Sequence, residues 1–330
     1  MHRRSGVFLL LFFIVAISNP SSGLACDVCG CPFNAKRSEG KSAVGSTITT
    51  PTANTMGARH GFAGFLFEQQ RYDSMAASHA HSLHHPGRDI HDKTHEEFYN
   101  LVGGLGVLQD LDLYAELPIV SRSSLQIEDH ARLGQRDTSS GVGDLRVGGK
   151  YRFWKKGVDA ALLFGVKAPT GQTSNINKSG DKIEPELQPG SGSWDVTGGL
   201  SASRSFQDRW TLASAVQYTY RGEGAQDEKL GDVFRYDLGF SYALKPLGRN
   251  PNVSLVAEFQ LQWLGKDRSR GVDKVLDSGG TTLFFSPGIS ADLTKSLSAF
   301  VAVPVPIHQN LGGEHVEVKY EVLTGLSWHF

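Results

Sequence analysis

The chain has 330 residues, 39% of them hydrophobic, with 38 glycines and a net charge of -1, and its mean hydropathy is -0.25. That polarity excludes a helical membrane protein, whereas a barrel hides its apolar surface by alternation and so looks soluble on average. Its 33 basic and 34 acidic residues leave no basic footprint for nucleic acid, and three cysteines within six residues exclude a disulfide-stapled scaffold.

Residues 1–25 predict a cleaved secretory signal peptide. His2, Arg3 and Arg4 precede an apolar run over 7–17, and a polar stretch then ends in Gly23, Leu24 and Ala25. The run is too short to span a bilayer as a helix. A lipoprotein signal at Cys26 is the alternative, but Leu24 stands one place too close to that cysteine. Residues 26–56 then form a periplasmic segment opening on Cys26, Cys29 and Cys31, a CxxCxC. Three thiolates at this spacing can converge on a soft ion; they leave a zinc site incomplete, so copper(I) is the favoured metal. A disulfide between two of them, with one thiol left over, is the alternative. The Ser-, Thr- and Ala-rich remainder, 32–55, either plugs the barrel or trails in the periplasm.

From residue 57 to 330 alternation dominates and predicts an all-β fold, a transmembrane antiparallel up-and-down barrel of about twelve strands. The strands are expected at 58–72, 96–108, 111–121, 142–154, 158–168, 194–205, 209–221, 232–244, 252–264, 280–291, 296–307 and 316–330. Short links alternate with long polar ones at 73–95, 122–141, 169–193, 222–231, 265–279 and 308–315. An even count with that alternation leaves both termini periplasmic. A soluble β-sandwich is the rival, but its loops have no reason to alternate in length and its outer faces would be polar. Pro304 and Pro306 each remove a ladder hydrogen bond, so a bulge or an early end of pairing is expected there.

Within these elements two groups of residues are candidates for function. The first long loop carries His79, His81, His84, His85, His91 and His95, six of the chain's twelve histidines. Imidazoles at this density suit Cu(II), Zn(II) or Ni(II), against the plainer alternative of a solvated loop. Alternation also turns Arg146, Lys150, Arg152, Arg235, Asp237, Glu258, Gln260, Gln262, Glu317, Lys319 and Glu321 toward the lumen. They predict either a paired network that fills the barrel or a selective pore, and Gly148, Gly239 and Gly325 on the same faces favour an opening. The last strand ends in Trp328 and Phe330 and must pair with the first to close the ring.

The stretches at 141–153 (GVGDLRVGGKYRF) and 167–171 (KAPTG), with Ser286-Pro287-Gly288 and the run from Ala302 to Val305, resemble the outer-membrane transporters of the meta-pathway phenol-degradation type. That family is similar in outline to fatty-acid and aromatic-hydrocarbon channels. The resemblance implies a barrel in the outer membrane of a Gram-negative bacterium, embedded in its lipid, passing a small solute or ion. It carries no catalytic motif, and none is found: GxSxG, HExxH and a phosphate loop are absent. The expected function is therefore a non-enzymatic channel, with copper or zinc handling as a secondary expectation. The alternative is a non-conducting barrel that anchors a periplasmic metal-binding or electron-relay partner through the CxxCxC segment.

Overall fold

The structure, a computed structural model, describes residues 47–73, 90–127, 135–178, 180–246, 250–269, 278–312 and 317–330. Period-two alternation produces the strands β1 (Gly61–Tyr72), β2 (Ile90–Leu108), β3 (Leu111–Ile127), β4 (Gln135–Val142), β5 (Leu145–Lys156), β6 (Val158–Ala168) and β7 (Asp195–Phe206). They are followed by β8 (Trp210–Arg221), β9 (Val233–Ala243), β10 (Asn252–Leu264), β11 (Gly280–Asp292), β12 (Leu297–Ala302), β13 (Val305–Leu311) and β14 (Val318–His329). Each pairs antiparallel with its neighbours. The ring closes because β1 pairs with β14 and β10 with β11. Both β4 and β5 lie against β3, and both β12 and β13 against β11, so each of these pairs shares one place in the ring. Twelve strand places result, as the alternation predicts.

The interruptions have local causes. Gly143 donates to the Pro118 carbonyl at 2.8 Å and carries the ladder across the gap between β4 and β5. The gap between β12 and β13 falls at Val303 and Pro304, where proline has no N–H to give. Pro306, by contrast, stays in β13 opposite Phe284, beside a register shift. β2 begins at Ile90 and β3 runs to Ile127, well beyond the expected ends, because their polar tips continue to pair with each other. At the other end, β5 passes to β6 through Gly157 alone, at φ 81°. That left-handed turn suits glycine.

Leu162, Leu200, Leu212, Leu238, Phe259 and Leu326 lie exposed on the outer face, while polar groups such as Asp237, Glu258 and Ser286 are fully buried within. This inversion of a soluble protein's pattern is the mark of a barrel with lipid outside. Aromatics gather toward the short-turn end, where Trp210 lies 4.2 Å from Tyr242 and 5.0 Å from Phe240, ring to ring.

Candidate functional site

The site is the lumen, and alternation puts its wall in place. Lys150, Arg152, Arg235, Asp237, Glu258, Gln260, Gln262 and Glu321 are buried on the inner face, and Arg146 lies beside them, partly buried. Two expected members are not there. Glu317 and Lys319 are exposed at the outer rim, where the Lys319 ammonium meets Asp73 at 2.7 Å. A bulge sets Tyr72 opposite Val318 and Arg71 opposite Tyr320, leaving Lys319 as the extra residue. The alternation reverses at that point, and Val318 turns inward onto Tyr72 and Phe284.

The wall also holds groups that the strand patterns did not single out: Glu68 and Gln70 on β1, Glu96 and Asn100 on β2, and Asp112, Glu116 and Arg122 on β3. They occupy alternate positions, so a period-two reading of the first three strands could have found them. Arg122 pairs with Glu96 at 2.6 Å and Arg146 with Glu116 at 3.2 Å. Arg235 lies 2.8 Å from Asp237. At the short-turn end Arg152 and Lys155 reach Asp110 at 2.8 and 2.6 Å. Burial there raises the Asp110 carboxyl, but these two cations outweigh it and hold the group below its ordinary range.

Residues 47–56, expected at the end of a periplasmic segment, lie inside the barrel: of the two readings of this stretch, the plug is the one observed. The Glu258 carboxylate accepts the Thr49 N–H at 3.0 Å and the Thr50 N–H at 2.7 Å. Arg235 donates to the Thr49 carbonyl at 2.9 Å and Lys150 to the Thr52 carbonyl at 3.0 Å. The Ala53 N–H reaches Ser203 at 3.1 Å, and the Met56 N–H reaches Asp112 at 3.0 Å. Ile48 packs on Val256, Ala302 and Leu323. The glycine space expected to leave an opening is occupied: a Cβ on Gly239 would stand 2.3 Å from Thr47, one on Gly148 2.8 Å from the Tyr114 ring and one on Gly325 2.3 Å from the Phe300 ring.

The long connection after β6 folds over the outer mouth. Asp144 fastens it, accepting the Gly171 N–H at 2.9 Å and both the N–H and the hydroxyl of Ser191 at 2.8 Å. Lys167 spans Asp195 at 2.6 Å and Asp144 at 3.5 Å. Arg122 reaches up from the wall to the Gln188 carbonyl. Between this cover and the wall is a cavity of about 80 Å³, bounded by Phe98, Val120, Arg122, Arg146 and Gln188 among others.

Cys26, Cys29, Cys31, His79, His81, His84 and His85 lie outside the described residues. His91 and His95 belong to the strand β2 and not to a loop, and the His95 ring stands 3.4 Å from the Thr94 hydroxyl. Among the described residues no group of three or more His, Cys, Asp or Glu side chains converges as a metal site.

The family model described as "Putative MetA-pathway of phenol degradation" matches residues 88–306. Among solved structures, the COG4313 outer membrane channel from Pseudomonas putida F1 superposes with a TM-score of 0.62 at 14% identity, over 84% of this chain and 98% of that one. The deltaS2S3 mutant of the monoaromatic hydrocarbon channel TodX gives 0.45 at 11% identity, over 90% and 98% of the two chains. The monoaromatic hydrocarbon channel CymD gives 0.42 at 11%, over 83% and 88%. At these identities the likeness is one of fold, and the fold is that of a Gram-negative outer-membrane barrel.

Proposed function

The chain belongs to this MetA-pathway phenol-degradation family, and from that premise we propose that it is a non-enzymatic channel passing a small polar solute across the outer membrane, closed at rest by its own residues 47–56. The observation that carries this reading is how the plug is held. Glu258, Arg235, Lys150 and Asp112 all grip backbone N–H or carbonyl groups of the segment. Water or a hydrogen-bonding solute can take over each such contact, so the segment can leave without stranding a buried group. The polar wall favours a solute that hydrogen-bonds over a plain hydrocarbon, whatever the relatives carry.

Gly239→Val tests the reading without touching any charge. Its side chain would occupy the space that Thr47 and Thr50 fill, expelling the plug from the wall. In planar bilayers the variant is expected to pass several-fold more current than the parent chain. No current from either form would overturn the channel reading.

A further inference from the structure

Two cations interrupt the apolar outer face. Along the outward positions of β5 to β10 the side chains are aliphatic, aromatic or small, except at Lys156 and Arg204. Both are exposed, and among the described residues neither forms an ion pair. They are also neighbours across the sheet. Lys156 of β5 pairs with Val158 of β6, and the register that sets Asp159 opposite Ser203 brings Val158 beside Arg204 of β7. Paired strands stand about 4.8 Å apart, so the two Cβ atoms are about 10 Å apart with the valine between them. Side chains as long as these can meet over Val158.

Height matters as much as charge. Arg204 is four residues from Leu200, which lies midway along β7; that is about 13 Å along a strand and about 10 Å of height at the tilt of a barrel strand. The apolar band of such barrels is about 25 Å tall, so Arg204 stands just inside its edge and its guanidinium reaches headgroup level by stretching toward water. Lys156 is at the same level, its ammonium 5.6 Å from the Trp154 ring. On the water side Phe206 and Trp210 close the row, their rings 6.5 Å apart. One step toward the bilayer middle, Ala160, Ala202 and Ser214 lie side by side between Trp154 and Leu238. These small side chains leave a shallow trough directly below the two cations. With no carboxylate on this face, the counter-charge must come from outside the chain. A water-soluble anion gains nothing from the apolar surroundings, whereas a phospholipid brings a phosphate and an acyl chain together.

We infer that Lys156 and Arg204 bind the phosphate of an anionic glycerophospholipid in the leaflet at the short-turn end, with one acyl chain lying over Ala160, Ala202 and Ser214. The inference rests on the membrane-spanning barrel and not on the channel reading, so either can fail without the other.

The test is native mass spectrometry of the full chain, released from detergent containing equal amounts of phosphatidylglycerol and phosphatidylcholine. The two lipids share a phosphate and differ in net charge. One cation near an anionic lipid is worth about fivefold in affinity, so the parent chain is expected to retain at least about five times more phosphatidylglycerol. Lys156→Gln/Arg204→Gln should retain the two equally, while Lys178→Gln/Lys182→Gln, which removes the same charge from the exposed cover of the outer mouth, should keep the preference. Equal retention by the parent would overturn the site, and so would a preference that survives in Lys156→Gln/Arg204→Gln. Displacement of the lipid by inorganic phosphate at equal concentration would mean that the pair takes a free anion, and overturns the lipid as its occupant. Both substituted side chains are exposed, so this variant should fold, which heat-dependent gel mobility checks; were it not to fold, the ratio in the parent chain alone decides.

Discussion

Asp144 holds the outer cover with one side chain. Its two oxygens take three hydrogen bonds from Gly171 and Ser191, and Lys167 stands behind it. Asp144→Ala would leave the Gly171 and Ser191 backbone donors without an acceptor, a loss of about 2–4 kcal/mol, while Lys167 keeps its closer partner Asp195. The expected result is protease cleavage within residues 172–190 while the barrel itself stays folded, read by limited proteolysis and gel mobility. A strand reading could tell that Asp144 faces inward, because it precedes an alternating run. It could not tell what Asp144 holds, since Gly171 and Ser191 lie 27 and 47 residues further on. Lumen residues were legible for the same reason that their partners were not: the period gives a direction, and the register gives the neighbour.

At the scale of elements, β14 marks the limit of that period. Its sequence alternates without a break from Val316 onward, yet the side chains reverse at Lys319. The extra residue is on β14 itself, while on β1 Tyr72 keeps its regular inward place with its hydroxyl 2.5 Å from Glu96. The outer loops carry a prediction of their own. Residues 222–232 and 265–269 are tied by the Lys229–Arg268 bridge, and Glu228 sits at their junction, 3.2 Å from the Ser269 hydroxyl. Burial first, then Glu184, Glu186 and Asp267, push its carboxyl from 4.5 up to about 7. A raised carboxyl binds its proton more tightly in the folded loops than in the unfolded chain. Its effect on stability is therefore most favourable below about pH 4.5 and is lost as pH rises to about 7. Amide exchange in these loops, corrected for intrinsic rates, should be faster at pH 8 than at pH 5. Glu228→Gln should flatten the difference, and equal protection at both pH values in the parent chain would refute it.

For the whole molecule, closure and plug were unequally visible. Twelve strand places follow from alternation and loop lengths, and the seam follows from the need to pair every edge. The plug has no period, because its contacts to the wall run mainly through backbone groups that any polar sequence carries. What alternation does fix is the height of the lipid band. Leu200 lies midway along β7, exposed on the outer face, between Leu162 on β6 and Val216 on β8. Trp154 is also exposed outward but sits near the short-turn end, with the Lys156 ammonium 5.6 Å from its ring. An arginine facing lipid costs about 2–4 kcal/mol at the bilayer midplane and about 0–1 kcal/mol near the interface. Leu200→Arg should therefore lower the folding free energy in lipid vesicles by the larger amount and Trp154→Arg by the smaller, measured by denaturant titration. If the two costs are equal, the band does not run across the middle of β7. The same pair in detergent should differ little, because a micelle lets both arginines reach water, and that contrast ties the difference to the bilayer and not to strand packing.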